Sequence, residues 1–211
     1  MLLRKINWNY HIHTKFTDGQ NSVDEIAQYC YRVGIKEIAI TEHVRSILTY
    51  DFNQLLDQIG QSEKKYKIKI WKGIEAKILP NGQLDLDPKF FKKINLDFIV
   101  GVVHFWPQNI PLEKAYDLLV SSNCSVIGHP HFLNNDFLEK IVRNNKVLEI
   151  NSRYPLLEEE LQLIKNHPAL KISVGTDAHT LSEIDAGLKW IGQIVEKFIT
   201  PKQIWKINKN L

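Results

Sequence analysis

Seven short apolar runs rich in β-branched residues recur along this 211-residue chain, and a segment of helical periodicity follows every one of them. The runs are NYHIH (9–13), EIAIT (37–41), KIWKGIEA (69–76), DFIVGVVH (97–104), SVIGH (125–129), KVLEIN (146–151) and KISVGT (171–176). The first helix is signposted at both ends: Ser22 and Glu25 form an S-x-x-E box, Val23, Ile26, Ala27 and Cys30 share a face, and Gly34 closes it. Further helices are predicted near 51–66, 112–122, 135–144, 155–166 and 181–198, while DLDPKFFKKI after the third run has room only for a short one. Parallel strands need crossover connections and helices supply them, so the alternation predicts an α/β chain with a parallel sheet, either a barrel or doubly wound. No repeat or low-complexity linker interrupts it, and the length suits one domain over 1–211.

Composition narrows the class. Apolar residues at 44% and charged residues at 24% are ordinary for a globular chain, which excludes disorder. No run reaches the roughly 18 apolar residues of a membrane span, and MLLRKINWNY lacks a signal core, so a cytoplasmic protein is expected. Cys30 and Cys124 are isolated thiols, better suited to a core than to a disulfide or metal knot. A net charge of +3 is too small to imply nucleic-acid binding, and the lysines of EKKYKIKIWK read as a solvated face.

In parallel α/β folds catalytic groups collect at the C-terminal strand ends, and those ends are unusually polar here. They carry His11 and His13, then His43 in TEH, Glu75 in GIEA, His104 in VVH, His129 and His131 in GHPH, Asn151 in EIN, and Asp177 and His179 in GTDAH. Of the eight histidines only His167 lies elsewhere. Taken singly, His11, His43 or His104 fits a hydrogen-bonded core histidine, Glu75 a cap or ion-pair partner, and Asp18 before Gly19 a turn residue. Jointly they point to metal, because so many ionisable groups at one rim are costly to pack without cations. Residues two apart on a strand project to one face, so His11 and His13 can grip a single cation. Imidazole and carboxylate ligands suit zinc, iron and manganese alike.

These motifs, from HIHTKFTDG through AITEH, GIEA, VVH, GHP and LEIN to VGTDAH, make the chain resemble the polymerase and histidinol phosphatase (PHP) superfamily of metal-dependent phosphoesterases. The resemblance implies a distorted seven-stranded (β/α) barrel of TIM type with two or three divalent cations at its C-terminal mouth. By motif, His11, His13 and Asp177 would bind the first cation, Glu75 would bridge it to a second completed by His104 and His129, and Asp18, His43 and His179 would hold the third. Glu75, Asp177 and His179 are the catalytic candidates. The implied chemistry is hydrolysis of a phosphate ester by metal-activated water. The chain departs from the family in TEH, where Glu42 stands at a position commonly Asp, and in His131, which has no clear counterpart and reads equally as a support, a substrate contact or a surface residue.

Of five arginines, Arg45 and Arg153 follow strand ends and can reach a bound phosphate, with caps or salt bridges as their plainer roles, whereas Arg4 and Arg32 are expected at the surface. Trp106 suits packing better than substrate stacking. The leading reading is hydrolysis of a small phosphorylated substrate, a phosphate monoester, with histidinol phosphate suggested by the resemblance. A less favoured one is a nuclease or nucleotide phosphatase on nucleic-acid ends, steered by the lysines at 64, 65, 67, 69 and 72 or by the tail TPKQIWKINKN. The third is a catalytically silent, metal-stabilised partner module, which predicts missing ligands; here all nine positions hold competent side chains. Oligomeric state has no sequence sign.

Overall fold

A computed structural model describes residues 6–207; Arg4 and the end of the tail lie outside them. Seven parallel strands alternate with seven helices in chain order: β1 Trp8–Asn9, α1 Val23–Val33, β2 Glu37–His43, α2 Phe52–Tyr66, β3 Lys69–Lys77, α3 Pro88–Phe91, β4 Phe98–Val102, α4 Leu112–Ser121, β5 Val126–Ile127, α5 Asn135–Arg143, β6 Val147–Asn151, α6 Glu158–Lys165, β7 Lys171–Gly175 and α7 Leu181–Phe198. Each strand pairs with its sequence neighbour. The sheet then curls until its edges meet: Tyr10 donates its N–H to the Val174 carbonyl at 2.9 Å, Asp177 to His11 at 2.9 Å and His13 to Ala178 at 3.0 Å. The result is a nearly closed, distorted (β/α) barrel of TIM type rather than a doubly wound sheet.

Several strands are shorter than the apolar runs that mark them. β5 stops before His129, whose φ is 24°, and β7 stops before Asp177, whose φ is 53°; a left-handed residue cannot continue an extended ladder. β2 instead runs on to His43 and pairs it with Glu75 of β3. In α1 the expected capping box forms, with Ser22 Oγ accepting from the Glu25 N–H and Glu25 accepting from Ser22, and Gly34 takes the left-handed closing position at φ 81°.

One apolar cluster lies between the helices and the sheet, where Cys30 and Cys124 are buried with free thiols. Burial pushes the Cys30 thiol up to about 12, which makes it inert packing. A second cluster fills the barrel with Tyr10, Trp71, Phe98, Val100, Val102, Val126 and Val147. The segment after α7 closes the N-terminal end: Ile172 donates to the Gln203 carbonyl and Trp205 to that of Ile172, both at 2.8 Å, and the Trp205 ring packs edge-on against Tyr10 and Phe98. Among the described residues no helix is long and apolar enough to cross a membrane.

Candidate metal centre

With the N-terminal end plugged, the ionisable side chains face the open C-terminal mouth around one carboxylate. Glu75 is almost fully buried, and five imidazoles approach it: His43 at 2.5 Å, His129 at 3.0 Å, His11 and His13 at 3.7 Å each, and His104 at 3.9 Å. Asp177 Oδ1 lies 3.2 Å from His13 Nε2 and 3.9 Å from His11 Nε2. Nearer solvent, Asp18 Oδ2 sits 3.3 Å from both His43 and His179. All nine expected ligands therefore converge. The grouping is tighter than the motif assignment implies, because His13 approaches the outer set of Asp18, His43 and His179 as well as the inner set with His11 and Glu75, and His43 also joins Glu75 and His104.

Two observations show that this set fits divalent cations. His11 Nδ1 meets Glu149 at 2.8 Å, which places the ring hydrogen there and leaves a lone pair on Nε2, and that atom lies 3.1 Å from His13 Nε2. Two ligands of one cation, each at ~2.1 Å, lie ~3–3.5 Å apart, so the spacing is that of a shared ion. In addition, His13 Nδ1 and His129 Nδ1 are buried without a hydrogen-bond partner, and His43 Nδ1 and Glu75 Oε2, 2.5 Å apart, have no partner other than each other. Such atoms are costly in a low-dielectric interior unless something else satisfies them.

The electrostatics agree. Burial opposes ionisation of Glu75, yet His129, His43, His11 and His13 hold it well below the usual carboxylate range. Burial would also lower His11 and His43, but Glu149 and Asp177 lift the former to about 10, and Asp18 and Glu75 lift the latter to about 9. His13 and His104 are pushed down to about 4, chiefly by burial, and so stay neutral. The carboxylates thus draw positive charge to His11 and His43, where a cation would displace a proton, while His13 and His104 keep neutral nitrogens for coordination.

A carboxylate that the strand-end pattern did not reveal organises the inner ligands. Glu149 of β6 is buried; besides His11 Nδ1 it accepts the His129 N–H at 3.0 Å and the Asn151 side-chain amide at 3.0 Å. Asn151 is therefore turned toward Glu149 and toward the Arg153 N–H, 2.8 Å from its Oδ1. Gly175 leaves the space this carboxylate occupies, since a Cβ there would lie 2.1 Å from Glu149 Oε1. The only sequence signal was the alternation in VLEIN, which puts Glu149 and Asn151 on one face of the strand. Glu42 acts at a distance from the cluster: it accepts the Thr14 N–H at 2.7 Å and the Thr17 hydroxyl, bracing the loop that carries Asp18, and burial lifts its carboxyl to about 7.

Above the cluster opens a cavity of about 640 Å³ lined by Asp18, His43, Glu75, His104, Asp177 and His179 together with Arg45, Phe105, His131, Arg153 and Tyr154. Arg153 is committed to its surroundings, donating Nε to the Asp177 carbonyl and Nη2 to Glu183, both at 2.9 Å. Glu183 in turn accepts the N–H groups of His179 and Thr180. His179 Nδ1 lies 2.9 Å from both Arg153 Nη2 and the Asp177 carbonyl; with Nε2 on a cation, Nδ1 carries the hydrogen and donates to that carbonyl. Arg45 donates to the Val44 carbonyl at 2.8 Å, 4.0 Å from Asp85. His131 is exposed, held by its N–H to the Tyr116 hydroxyl at 2.7 Å, with its ring edge-on to His129 and Tyr154. Trp106 packs on the core and donates to the Ile110 carbonyl, so it is Phe105 that faces the cavity.

Residues 9–153, more than half of the chain, match the model of the PHP domain. The chain belongs to the PHP family. Asp177 and His179 lie beyond the matched segment, and β7 returns them to the cluster. Among curated proteins the chain is 27% identical over 207 residues to the DNA polymerase/3′-5′ exonuclease PolX of Bacillus subtilis, covering 87% of this chain but 36% of PolX. It is 24% identical over 190 residues to the uncharacterised protein MJ1295 of Methanocaldococcus jannaschii, covering 85% and 84% of the two chains. Among solved structures, a two-domain Bacteroides vulgatus protein with a PHP-like metal-dependent phosphoesterase domain superposes with a TM-score of 0.53 at 16% identity, covering 85% of this chain and 54% of that one.

Proposed function

We propose that this chain is a metal-dependent phosphoesterase that hydrolyses a small phosphate monoester. The observation that carries the reading is the convergence of five imidazoles on Glu75 beneath a cavity of about 640 Å³, the scale of a small-molecule site. His11, His13, Asp177 and Glu75 would hold one cation, Glu75 with His104 and His129 a second, and Asp18, His43 and His179 a third, with zinc, iron and manganese all compatible. Bound there, divalent cations lower the pKa of water and neutralise phosphate oxygens.

The protein's own contribution is placement. Glu149 fixes the His11 tautomer and the His129 backbone, and Glu183 fixes the loop of His179. Arg45 and Arg153 lie at the cavity wall, where a phosphate entering from solvent meets guanidinium groups. Histidinol phosphate is one candidate substrate.

A second reading, cleavage at nucleic-acid ends, draws support from the similarity to PolX. The lysines that suggested it sit elsewhere: Lys64 and Lys65 end α2 and Lys69 and Lys72 open β3, at the barrel end opposite the mouth, with Lys65 paired to Asp24 and Lys69 to Glu63. Steering by those residues would lead a polyanion away from the cluster.

The test is a panel of monoesters and diesters, including histidinol phosphate, nucleotides and short oligonucleotides, offered to metal-free protein with each cation restored separately. Turnover of small monoesters with little salt dependence is expected. Turnover of oligonucleotides alone would transfer the proposal to the second reading, and no turnover with any cation would end both.

A further inference from the structure

Large apolar side chains exposed on the described surface are few, and they are not scattered. Ile47, Phe105, Tyr154 and Leu157 all stand on loops that follow β2, β4 or β6, at the mouth end of the barrel, and only Tyr31 lies elsewhere, on α1. Phe105 is the extreme case at 95% exposed, and it also has a φ of 52°, a left-handed conformation that a bulky residue rarely adopts. Both features are unfavourable in the free protein, and at 95% exposure the ring gains little packing from the described residues to offset them. Phe105 directly follows the ligand candidate His104 and lines the same cavity as the metal cluster. Across β4–β6 the Tyr154 ring lines it too, braced against His129 at 4.7 Å between centroids.

We infer that Phe105 and Tyr154 form a subsite for a planar ring carried by the alcohol portion of the substrate, so that the preferred phosphate ester is built on a nucleoside or a similar ring-bearing alcohol rather than on a simple polyol. The inference deepens the phosphomonoesterase reading and rests on it. The chemistry is complementary. The cavity presents aromatic faces at its rim, guanidinium groups on its wall and the cation ligands at its base, which matches a molecule with a ring at one end and a phosphate at the other. Strained, exposed residues persist at binding sites because the ligand supplies the contact the free protein lacks. A polyol phosphate would engage the base of the cavity and leave the rim uncovered.

The experiment compares wild-type protein with Phe105→Gly and Tyr154→Leu, using a nucleoside monophosphate and glycerol phosphate as substrates, with thermal midpoints measured in parallel. Phe105→Gly should raise KM for the nucleotide about 10-fold, the scale of losing one base–aromatic stack, and change glycerol phosphate less than about 2-fold. Its thermal midpoint should hold or rise, since glycine relieves the left-handed backbone. Equal changes for both substrates, or none for either, would overturn the subsite. Turnover of glycerol phosphate without turnover of the nucleotide in wild-type protein would sink it too, while leaving the phosphoesterase reading intact. Saturation-transfer NMR of the bound nucleoside monophosphate reads the ring contact without turnover: a ring signal in wild type that Phe105→Gly abolishes supports the subsite, and a signal that persists rejects it.

Discussion

The two ends of the barrel each hold a carboxylate, half-buried at one and buried at the other, and they treat it in opposite ways. At the N-terminal end Glu37 accepts from the Tyr10 hydroxyl at 2.6 Å, from Trp71 Nε1 at 2.6 Å and from Lys206 Nζ at 3.1 Å, and the Lys206 ammonium lies 3.5 Å from the Trp8 ring centre. At the mouth Glu75 has five imidazoles around it, its Oε2 meets only His43 Nδ1, and the buried ring nitrogens His13 Nδ1 and His129 Nδ1 have no hydrogen-bond partner. Trp8 Nε1 is the corresponding orphan at the floor. Left-handed backbone divides similarly: Phe105, His129 and Asp177 sit at the mouth, whereas Lys67 closes a helix. A carboxylate held by three donors stabilises a fold; one ringed by unpartnered imidazole nitrogens waits for a ligand.

The largest break in that contrast should come from Glu75→Gln. The amide keeps the shape but removes the charge at the centre of the cluster, and phosphoesterase activity should fall by more than the ~10–100-fold typical of losing a group behind the ligands. Circular dichroism should show the folded barrel, and retention of a tenth of the activity would refute the central role. Glu149→Gln comes next. It cannot hold the His11 hydrogen as a carboxylate does, so metal affinity measured by competition with a chelating dye should drop about 10–100-fold. Third, restoring cation to metal-free protein at about 100 times its dissociation constant should add about 2.7 kcal/mol of stability. For a chain of this size that is about 5–10 °C in thermal midpoint, and Glu75→Gln should lose most of it.

What the sequence made legible follows from the same contrast. The barrel was readable because each strand announces itself by apolar content, and the ligands were readable because histidine is scarce and sits at strand ends. Glu149 was not, because its role depends on a neighbour in space, His11, that is 138 positions away. Trp106 packs on the core, as its sequence context suggests, but that its neighbour Phe105 turns outward is decided by a positive φ that the sequence does not display. The lysines of EKKYKIKIWK could be counted from the sequence, but their distance from the mouth appears only once strand direction fixes which end of the barrel they occupy.

The smallest effect belongs to the floor and tests whether its charge is purely structural. Burial raises the Glu37 carboxyl, but hydrogen bonds from Tyr10, Trp71 and Lys206 outweigh it and hold the group below its ordinary value. Lys206 is itself depressed because its own burial outweighs the attraction of Glu37, so the neutral donors rather than the ion pair carry much of the benefit. A carboxylate with a depressed folded pKa contributes stability that is present above its unfolded value of ~4.3 and is lost as pH falls through the lower folded value. Glu37→Gln should therefore cost about 1–3 kcal/mol near neutral pH, and its urea midpoint should approach that of wild type only below about pH 4. Turnover should be unchanged at neutral pH, because Glu37 opens β2 and His43, six residues further along the same strand, reaches the mouth. Loss of activity without loss of stability would mean that the two ends communicate, and the division between a satisfied floor and a waiting mouth would have to be abandoned.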